Sequence, residues 1–311
     1  LEQLTAEERK YLNNMDQVIK KQLIGQDEAV SRAVSAVKKS RAGLSDPNRP
    51  DAIMLFLGPT GVGKTQLAKL LFRPWFSAFV KLAKLLARHL FGSSSHLLAF
   101  DMSEYSEEHS ISKLIGAPAG YVGHEEEGVL TGAVRNAPFS ILLFDEIEKA
   151  HSRIFDLFLP IFDEGRLRDA RGREVNFKNC IIVITSNIGS DLLYEADNRV
   201  SQDALVDALR EHFRPEFVNR IDQVVPFYPL LAEDIRQILR LEVNALRHRL
   251  REQRIGIRMY QRAYEYIAEE GYSPRFGARE LRRAVDRLVA TPIGNAIIEG
   301  QFEQGDMVDV L

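Results

Sequence analysis

The clearest indication of the fold is the octapeptide Gly58-Pro59-Thr60-Gly61-Val62-Gly63-Lys64-Thr65. It fits the pattern G-x-x-x-x-G-K-[ST], follows the apolar run Ile53–Leu57 and opens a helical pattern, which is the context of a phosphate-binding loop. Its glycines allow consecutive backbone N–H groups to turn inward around phosphate oxygens without Cβ clashes. We predict that Lys64 reaches the β- and γ-phosphates, that the Thr65 hydroxyl ligates Mg²⁺, and that the following helix adds the positive end of its dipole.

A second apolar run ends in two carboxylates. Asp145 and Glu146 directly follow Ile141–Phe144, and Asn187 comes shortly after a third run, Ile181–Thr185. We expect the two acids to lie beside the phosphate loop, where Asp145 holds the Mg²⁺ shell and Glu146 orients and deprotonates the attacking water. Asn187 is the candidate to hold that water or the γ-phosphate.

The spacing of the apolar runs predicts the fold class. Continuous apolar runs of strand length are typical of strands buried on both faces of a parallel sheet, and helical patterns lie between them. The expected strands are Ile53–Leu57, Leu97–Phe100, Ile141–Phe144, Ile181–Thr185 and Gln223–Phe227, with helices at Ile154–Phe162 and Asp203–Phe213. We therefore predict an open, mostly parallel α/β sheet flanked by helices.

The pattern becomes mainly helical after Pro229. Helices are expected over Ala232–Arg251, Gln261–Glu270 and Ala278–Glu299, with short strands at Ile255–Met259 and Met307–Leu311. Two further helices are expected within Leu4–Ser40, broken near Gly25, with Asp27 as the N-cap of the second. The prediction is a large α/β domain over residues 1–229 and a small, mainly helical domain over residues 230–311.

The composition excludes several classes of protein. With 45% apolar and 27% charged residues, the 311-residue chain is typical of a globular protein rather than a fibrous or disordered one. A single cysteine excludes an internal disulfide framework, and Cys180 is expected to be a core residue because it begins an apolar run. The net charge of −3 argues against nucleic acid as a partner.

The sequence also bears on location. No apolar run approaches the roughly 18–20 residues of a membrane-spanning helix, and Leu1–Lys10 is polar, unlike a signal peptide. We expect a cytoplasmic location, with an organelle matrix as the alternative. Because the chain begins at Leu1 rather than at a methionine, we also expect it to be an excerpt of a longer protein.

Eight motifs occur in order along nearly the whole chain. They are IGQDEAV (24–30), the phosphate loop (58–65), DMSEY (101–105), GYVG (120–123), LFDEIEKAH (143–151), TSN (185–187), FRPEFVNRID (213–222) and GARELRR (277–283). Together they resemble the second ATPase module of Clp-type AAA+ unfoldases, most closely that of the ClpB-type disaggregases. The resemblance implies an AAA+ P-loop NTPase fold, with ATP and Mg²⁺ as cofactors.

The resemblance also implies a role for each matching residue. Gly58, Pro59, Thr60, Gly61, Val62, Gly63, Lys64 and Thr65 match the Walker A loop, Asp145 and Glu146 the Walker B pair, Asn187 the first sensor and Arg279 the second. Arg220 matches the arginine finger, which in such rings reaches the γ-phosphate held by the neighbouring subunit. Ile24 lies where the family lines the adenine pocket, and Tyr121 with Val122 matches the pore loop that grips an extended polypeptide.

Some features depart from the family pattern. Fifteen residues, Phe72–Leu86, look inserted after the phosphate loop, and Pro74 is expected to end the first helix near Leu71. A helix packed on the core, a helix that binds a membrane or partner, and a gene-model artefact are the alternatives for this insertion. His124–Glu127 differs from the family at two positions and is expected to be a solvated loop rather than a metal site.

These observations lead to a ranked set of functions. The first is an ATP-driven homo-hexameric motor that threads unfolded or aggregated polypeptides through its pore, with a co-chaperone as a further partner. No Ile-Gly-Phe or Ile-Gly-Leu loop lies between Asn187 and Arg220, which argues against docking on a peptidase ring. The alternatives are a Clp relative that remodels one dedicated assembly, a nucleotide-binding scaffold without turnover, and a nucleic-acid motor.

Overall fold

The computed structural model describes residues 6–71, 97–117, 127–195, 200–273 and 277–311, which form two compact units. The first unit contains the chain up to Lys20, then Asp27–Gly58 and Lys64–Phe227; the second contains Lys21–Gln26, Pro59–Gly63 and Tyr228–Leu311. The division expected at residues 229 and 230 stays a prediction. The inserted segment Phe72–Leu86 lies outside the described residues. Within the described ranges, no helix is both long and apolar enough to cross a membrane.

The described residues form nine strands and thirteen α-helices. The strands are β1 (Ala52–Leu57), β2 (Leu97–Asp101), β3 (Ile141–Asp145), β4 (Arg166–Arg168), β5 (Glu174–Asn176), β6 (Ile181–Ser186), β7 (Gln223–Pro226), β8 (Gly256–Met259) and β9 (Met307–Val310). The helices are α1 (Ala6–Lys20), α2 (Asp27–Arg41), α3 (residues 64–71), α4 (Ile111–Ile115), α5 (Val129–Asn136), α6 (Ile154–Glu164), α7 (Ser190–Glu195), α8 (Gln202–His212), α9 (Pro215–Val218), α10 (Ala232–Glu252), α11 (Gln261–Gly271), α12 (Ala278–Val285) and α13 (Thr291–Ile298).

The first unit is built on a five-stranded sheet in the order β2-β3-β6-β1-β7. Every neighbouring pair is parallel, and all residues of β1 and β6 are buried, as their unbroken apolar runs predict. The predicted parallel α/β sheet is therefore confirmed. The sequence did not predict the order of the strands, and in the structure β6 lies between β3 and β1.

The two N-terminal helices form as expected, with one correction. Residues between α1 and α2 include Gly25, whose φ of 76° lies in the left-handed region and breaks the helical path. Asp27 is the first residue of α2 rather than its N-cap, so its carboxylate lies in the first turn, where negative charge is also favourable. Helix α2 packs on β1 and β7.

A cluster of phenylalanines fixes α6 and α9 against the sheet. Phe144 of β3 contacts Phe158 of α6 edge to face, with 4.8 Å between the ring centroids. Phe217 of α9 lies 6.1 Å from Phe158 and 5.6 Å from Phe162. All four rings are buried, and each such pair adds about 0.5–1.5 kcal/mol to the effect of burial itself. The cluster therefore holds α9, which immediately precedes Asn219 and Arg220.

Strands β4 and β5 form a short antiparallel hairpin that the sequence did not predict. Asp169 in its turn is buried, and its carboxylate accepts backbone N–H bonds from Arg171 and Arg173 at 3.0 and 2.9 Å. The guanidinium groups of Arg173 and Arg135 donate to the same carboxylate at 2.8 and 2.9 Å. Burial alone would raise the pKa of Asp169, but these hydrogen bonds outweigh it and hold the pKa below its usual value.

The second unit is mainly helical, as predicted. Helices α10, α11 and α12 pack together with the two-stranded parallel pair β8–β9. The backbones of α11 and α12 approach closely, since a Cβ on Gly271 would lie 2.7 Å from the Leu281 Cα. The single helix expected over Ala278–Glu299 is instead interrupted by a π-helical turn, Asp286–Ala290, between α12 and α13.

Replacing Asp169 with alanine is expected to lower the free energy of unfolding at pH 7 by about 1–3 kcal/mol, because four N–H donors lose their acceptor. Urea titration measures this. Glu174→Ala, which removes an exposed carboxylate of the same hairpin, should stay within about 0.5 kcal/mol of the wild type.

The effect of Asp169 should also depend on pH. Because the pKa of Asp169 is lowered in the folded state, its stabilisation is present above the unfolded value of about 3.9 and is lost as the pH falls through the folded pKa. The stabilities of the wild type and Asp169→Ala should therefore converge in acid, and a constant difference would contradict this account.

Candidate functional site

The phosphate loop (Gly58–Thr65) begins where β1 meets the ends of two neighbouring strands. Gly58 has a φ of 149°, and a Cβ at this position would lie 2.3 Å from the carbonyl oxygen of Phe227. Its N–H donates to the carbonyl of Ser186 at 3.2 Å. Backbone from three strand ends therefore converges on Gly58, and only glycine fits there.

Lys64 carries a buried charge at the start of α3. Its side chain is only 8% exposed, and its ammonium group donates to the carbonyl of Gly58 and to Oδ1 of Asn187, the latter at 2.8 Å. A buried ammonium is tolerated only when oxygen acceptors surround it, and phosphate oxygens are acceptors of the same kind. The structure therefore brings Lys64 and Asn187 together at one edge of the sheet.

Thr65 and Asp145 meet across the sheet edge. The Thr65 hydroxyl donates to Asp145 Oδ2 at 3.0 Å, and the hydroxyl of Thr185 donates to Asp145 Oδ1. These are hydroxyl and carboxylate oxygens, the donor set that Mg²⁺ prefers, so the residues present fit that ion. Thr185 was missed by the sequence reasoning, although its place at the tip of β6 was the available signal.

Glu146 follows Asp145 in an unusual backbone conformation. Its φ of 57° lies in the left-handed region, which is uncommon for a residue other than glycine, and its N–H donates to the Thr185 hydroxyl at 3.0 Å. Its carboxylate pairs with Lys149, and this hydrogen bond and charge raise the pKa of Lys149. The strained residue thus lies at the strand tip that the sequence assigned to catalysis.

Glu148 is a second residue that the sequence reasoning missed. Its Oε1 accepts both the backbone N–H of Asn187, at 3.1 Å, and the side-chain Nδ2 of Asn187, at 3.0 Å. No motif spacing pointed to this contact, because it joins the 3-10 turn Ile147–Lys149 to the end of a different strand.

In the second unit, the tip of the phosphate loop (Pro59–Gly63) meets the start of α12. The carbonyl of Gly61 accepts the N–H of Ala278 at 3.1 Å, and a Cβ on Gly277 would lie 2.7 Å from the same oxygen. Arg279 follows Ala278 in α12, so its backbone is next to the residue that contacts the loop tip.

The segment Lys21–Gln26 also belongs to this unit and contains Ile24. Its neighbour Leu23 approaches Gly63 so closely that a Cβ there would lie 2.6 Å from the Leu23 Cδ1. The amide of Gln26 exchanges two hydrogen bonds with the backbone of Tyr228, at 2.9 and 3.2 Å. The segment that contains Ile24 is therefore held at two points: Leu23 packs against Gly63 of the loop tip, and Gln26 is hydrogen-bonded to Tyr228.

Arg220 lies elsewhere in the first unit. Its guanidinium pairs with Asp163 and donates to the carbonyl of Glu216 at 2.6 Å. Arg49 donates to the carbonyl of Arg220 at 2.8 Å and to Asp222 at 3.2 Å, which fixes the backbone at this position. The structure therefore does not bring Arg220 to the phosphate loop of its own chain. Tyr121 and Val122 lie outside the described residues.

Cys180 is fully buried in the core, as expected, and burial raises the pKa of its thiol to about 11. It plays no part in the site.

A parallel sheet with a glycine-rich loop after β1, a buried loop lysine and polar side chains on the next strand tips defines a P-loop nucleotide-binding module of the ATPase class. Comparison with known families agrees, since residues 49–224 match the family described as AAA domain (Cdc48 subfamily). Residues 230–310 match the C-terminal, D2-small domain of ClpB protein. The chain belongs to the AAA domain family of ATPases, and its C-terminal part is similar to the small domain of ClpB.

Individual relatives point the same way. The chain is 46% identical over 314 residues to chaperone protein ClpB 1 of Thermosynechococcus vestitus, covering 99% of this chain and 34% of the relative. It is 45% identical to chaperone protein ClpB 2 of a Nostoc species, covering 100% and 34%, and 45% identical to chaperone protein ClpB of Meiothermus ruber, covering 96% and 34%. The chain spans about a third of the length of the curated relatives it matches.

The close approach at Gly58 yields a direct prediction. Gly58→Ala should lower the free energy of unfolding by roughly 1–3 kcal/mol and weaken nucleotide binding, because the backbone must shift to relieve the contact with Phe227. Gly294→Ala in α13 is the matched control, since a Cβ there meets nothing within 4 Å and should stabilise by about 0.5–1 kcal/mol. Thermal unfolding with and without nucleotide separates the two effects, and equal behaviour of the two variants would contradict the prediction.

Proposed function

We propose that this chain is the second ATPase module of a ClpB-like disaggregase, a motor that hydrolyses ATP in a hexameric ring and threads polypeptides through its pore. The single observation that supports this most is the meeting of two hydrogen-bonded pairs, Lys64 with Asn187 and Thr65 with Asp145, at one sheet edge. The ClpB names of the relatives support the coupling of that ATPase to protein disaggregation.

The proposed cofactors are ATP and Mg²⁺. Gly58–Thr65 would cradle the phosphates, with Lys64 exchanging its present acceptors for β- and γ-phosphate oxygens. Thr65 and Asp145 would hold Mg²⁺, which neutralises charge on the phosphates when it is bound. Ile24 would line the adenine pocket.

Glu146 is the proposed general base. Its carboxylate is paired with Lys149 here, so it must release Lys149 before it can accept a proton from the attacking water. The exposed position of Lys149, whose side chain is 51% accessible, makes this exchange inexpensive because water can replace the carboxylate.

Arg220 and Arg279 are proposed to complete the site from different directions. Arg279 would reach the nucleotide of its own chain from the start of α12. Arg220 would act on the nucleotide of a neighbouring copy, because its partners Asp163 and Glu216 hold it away from its own phosphate loop. Homo-hexamer formation would then be a condition for hydrolysis.

Tyr121 and Val122 are proposed to grip the substrate polypeptide. The residues that flank their segment are firmly held: Gly116 and Glu127 form an antiparallel bridge, and Glu127 pairs with Arg135 and Arg173. An unfolded or aggregated polypeptide is the proposed substrate, and a co-chaperone remains part of the proposal.

The domain boundary at 229/230 and a cytoplasmic location complete the proposal. A scaffold without turnover and a Clp relative devoted to one assembly are outcomes that the following tests distinguish.

Glu146→Gln should lower the ATP hydrolysis rate by roughly 10²–10⁴-fold while ATP still binds, because the amide cannot accept the proton. Lys64→Ala should instead abolish binding itself, since it removes the buried cation. Equilibrium binding of a fluorescent ATP analogue and a phosphate-release assay separate the two. A scaffold without turnover predicts no change in phosphate release for Glu146→Gln.

The motor assignment is tested by measuring ATPase rate against protein concentration, with and without casein, in the full-length protein. The rate per chain should rise with concentration and with casein, and Arg220→Ala should lower it by about 10³-fold or more without weakening ATP binding. Arg214→Ala is the control, because it removes an exposed arginine of the same segment that pairs only at the surface with Asp156. An ATPase rate per chain that changes with neither protein concentration nor casein would exclude the motor. Stimulation of the rate by DNA instead of casein would indicate a nucleic-acid motor. Stimulation by one protein assembly but not by casein would indicate a Clp relative that remodels that assembly.

A further inference from the structure

We propose that Glu148 is a positioning residue that fixes the amide of Asn187, so that Asn187 presents its oxygen, and not its NH₂ group, toward the phosphate loop. The proposal rests on the proposed function, since it assumes that Asn187 acts in hydrolysis.

One carboxylate oxygen holds Asn187 at two points. Glu148 Oε1 accepts the backbone N–H at 3.1 Å and the side-chain Nδ2 at 3.0 Å. Two hydrogen bonds to the same atom, one from the main chain and one from the end of the side chain, restrict both side-chain torsions of Asn187. The amide therefore has one orientation relative to the end of β6.

The neighbouring charges determine which end of the amide faces the loop. Asn187 Oδ1 accepts from the Lys64 ammonium at 2.8 Å, while Nδ2 donates to Glu148. Turning the amide by 180° would place NH₂ against an ammonium and oxygen against a carboxylate, which replaces two attractive contacts by two repulsive ones.

This orientation selects between the two roles that were open for Asn187. An amide oxygen accepts a hydrogen bond from water but offers none to a phosphate oxygen. In the proposed mechanism the Lys64 ammonium moves to phosphate, and Oδ1 then accepts from the attacking water. We therefore assign Asn187 to the water and not to the γ-phosphate.

One oxygen of the Glu148 carboxylate lowers rather than raises the stability of the fold. Its Oε2 is buried and has no hydrogen-bond partner in the part of the chain that the structure describes. A buried acceptor without a partner is costly, and such groups in native proteins call for an explanation beyond packing. The 3-10 turn that carries Glu148 follows directly after Asp145 and Glu146, so the same short segment positions the groups at two strand tips.

The first test compares single variants in the full-length protein. Glu148→Ala should lower kcat for ATP hydrolysis by roughly 10–100-fold with little change in KM or in ATP-analogue affinity, because the water is misplaced while the phosphates are still held. Glu148→Gln keeps an acceptor oxygen and should recover most of the rate. Glu104→Ala, an exposed glutamate of the first unit, is the control and should match the wild type.

The second test is a double-mutant cycle with Asn187→Ala. If Glu148 acts through Asn187, adding Glu148→Ala to Asn187→Ala lowers kcat no further. If the two losses multiply, or if Glu148→Ala alone leaves kcat unchanged, the positioning role is wrong. If Asn187→Ala itself leaves kcat unchanged, the assumed role of Asn187 in the proposed function is what fails.

A third variant guards against loss of folding. Glu148→Met has similar length but offers no acceptor, so it should behave as Glu148→Ala does while keeping the packing of the turn. Thermal unfolding identifies any variant that is unfolded. A folded Glu148→Met protein with the wild-type kcat would overturn the proposal.

Discussion

The buried ammonium of Lys64 is the interaction on which the rest of the site depends. A charge that is only 8% exposed must be surrounded by oxygen acceptors, and the chain supplies the Gly58 carbonyl and the Asn187 amide oxygen. Both acceptors require exact placement of the ends of β1 and β6, which are adjacent strands of the sheet. The core of phenylalanine and aliphatic residues behind the sheet serves this placement, since it fixes the strands whose ends carry the polar groups.

A second set of hydrogen bonds joins residues at the end of β3 to residues at the end of β6. Thr185 donates to Asp145 and accepts the N–H of Glu146, while Glu148 holds Asn187. Thr185 of β6 thus positions Asp145 and Glu146 at the end of β3. In return, Glu148, which follows β3, positions Asn187 after β6. This arrangement explains why Glu146 tolerates a left-handed backbone, because the hydrogen bond from its N–H to Thr185 offsets part of the strain.

Charge is arranged differently around Arg220 and around Glu127. Arg220 is held at the surface by Asp163 and by the backbone that Arg49 fixes, so its guanidinium is presented without reaching its own loop. Elsewhere in the first unit, four charges from Glu127, Arg135, Asp169 and Arg173 pair with one another and join α5 to the β4–β5 hairpin. Asp169 is the buried member of this cluster, and the three other groups lie around it at the surface.

The phosphate loop, the buried strands and the helical character after Pro229 could all be predicted without a structure, because each depends on local spacing: glycine positions, apolar runs and helical periodicity. The sequence also identified Asp145, Glu146 and Asn187 as strand-end residues. Three features became visible only in the folded chain: β6 lies between β1 and β3, Thr185 and Glu148 join the site, and Asp169 is the buried acceptor of a hairpin. These features are contacts between residues far apart in the chain, so no local pattern records them, and their energies depend on burial that exists only in the folded protein.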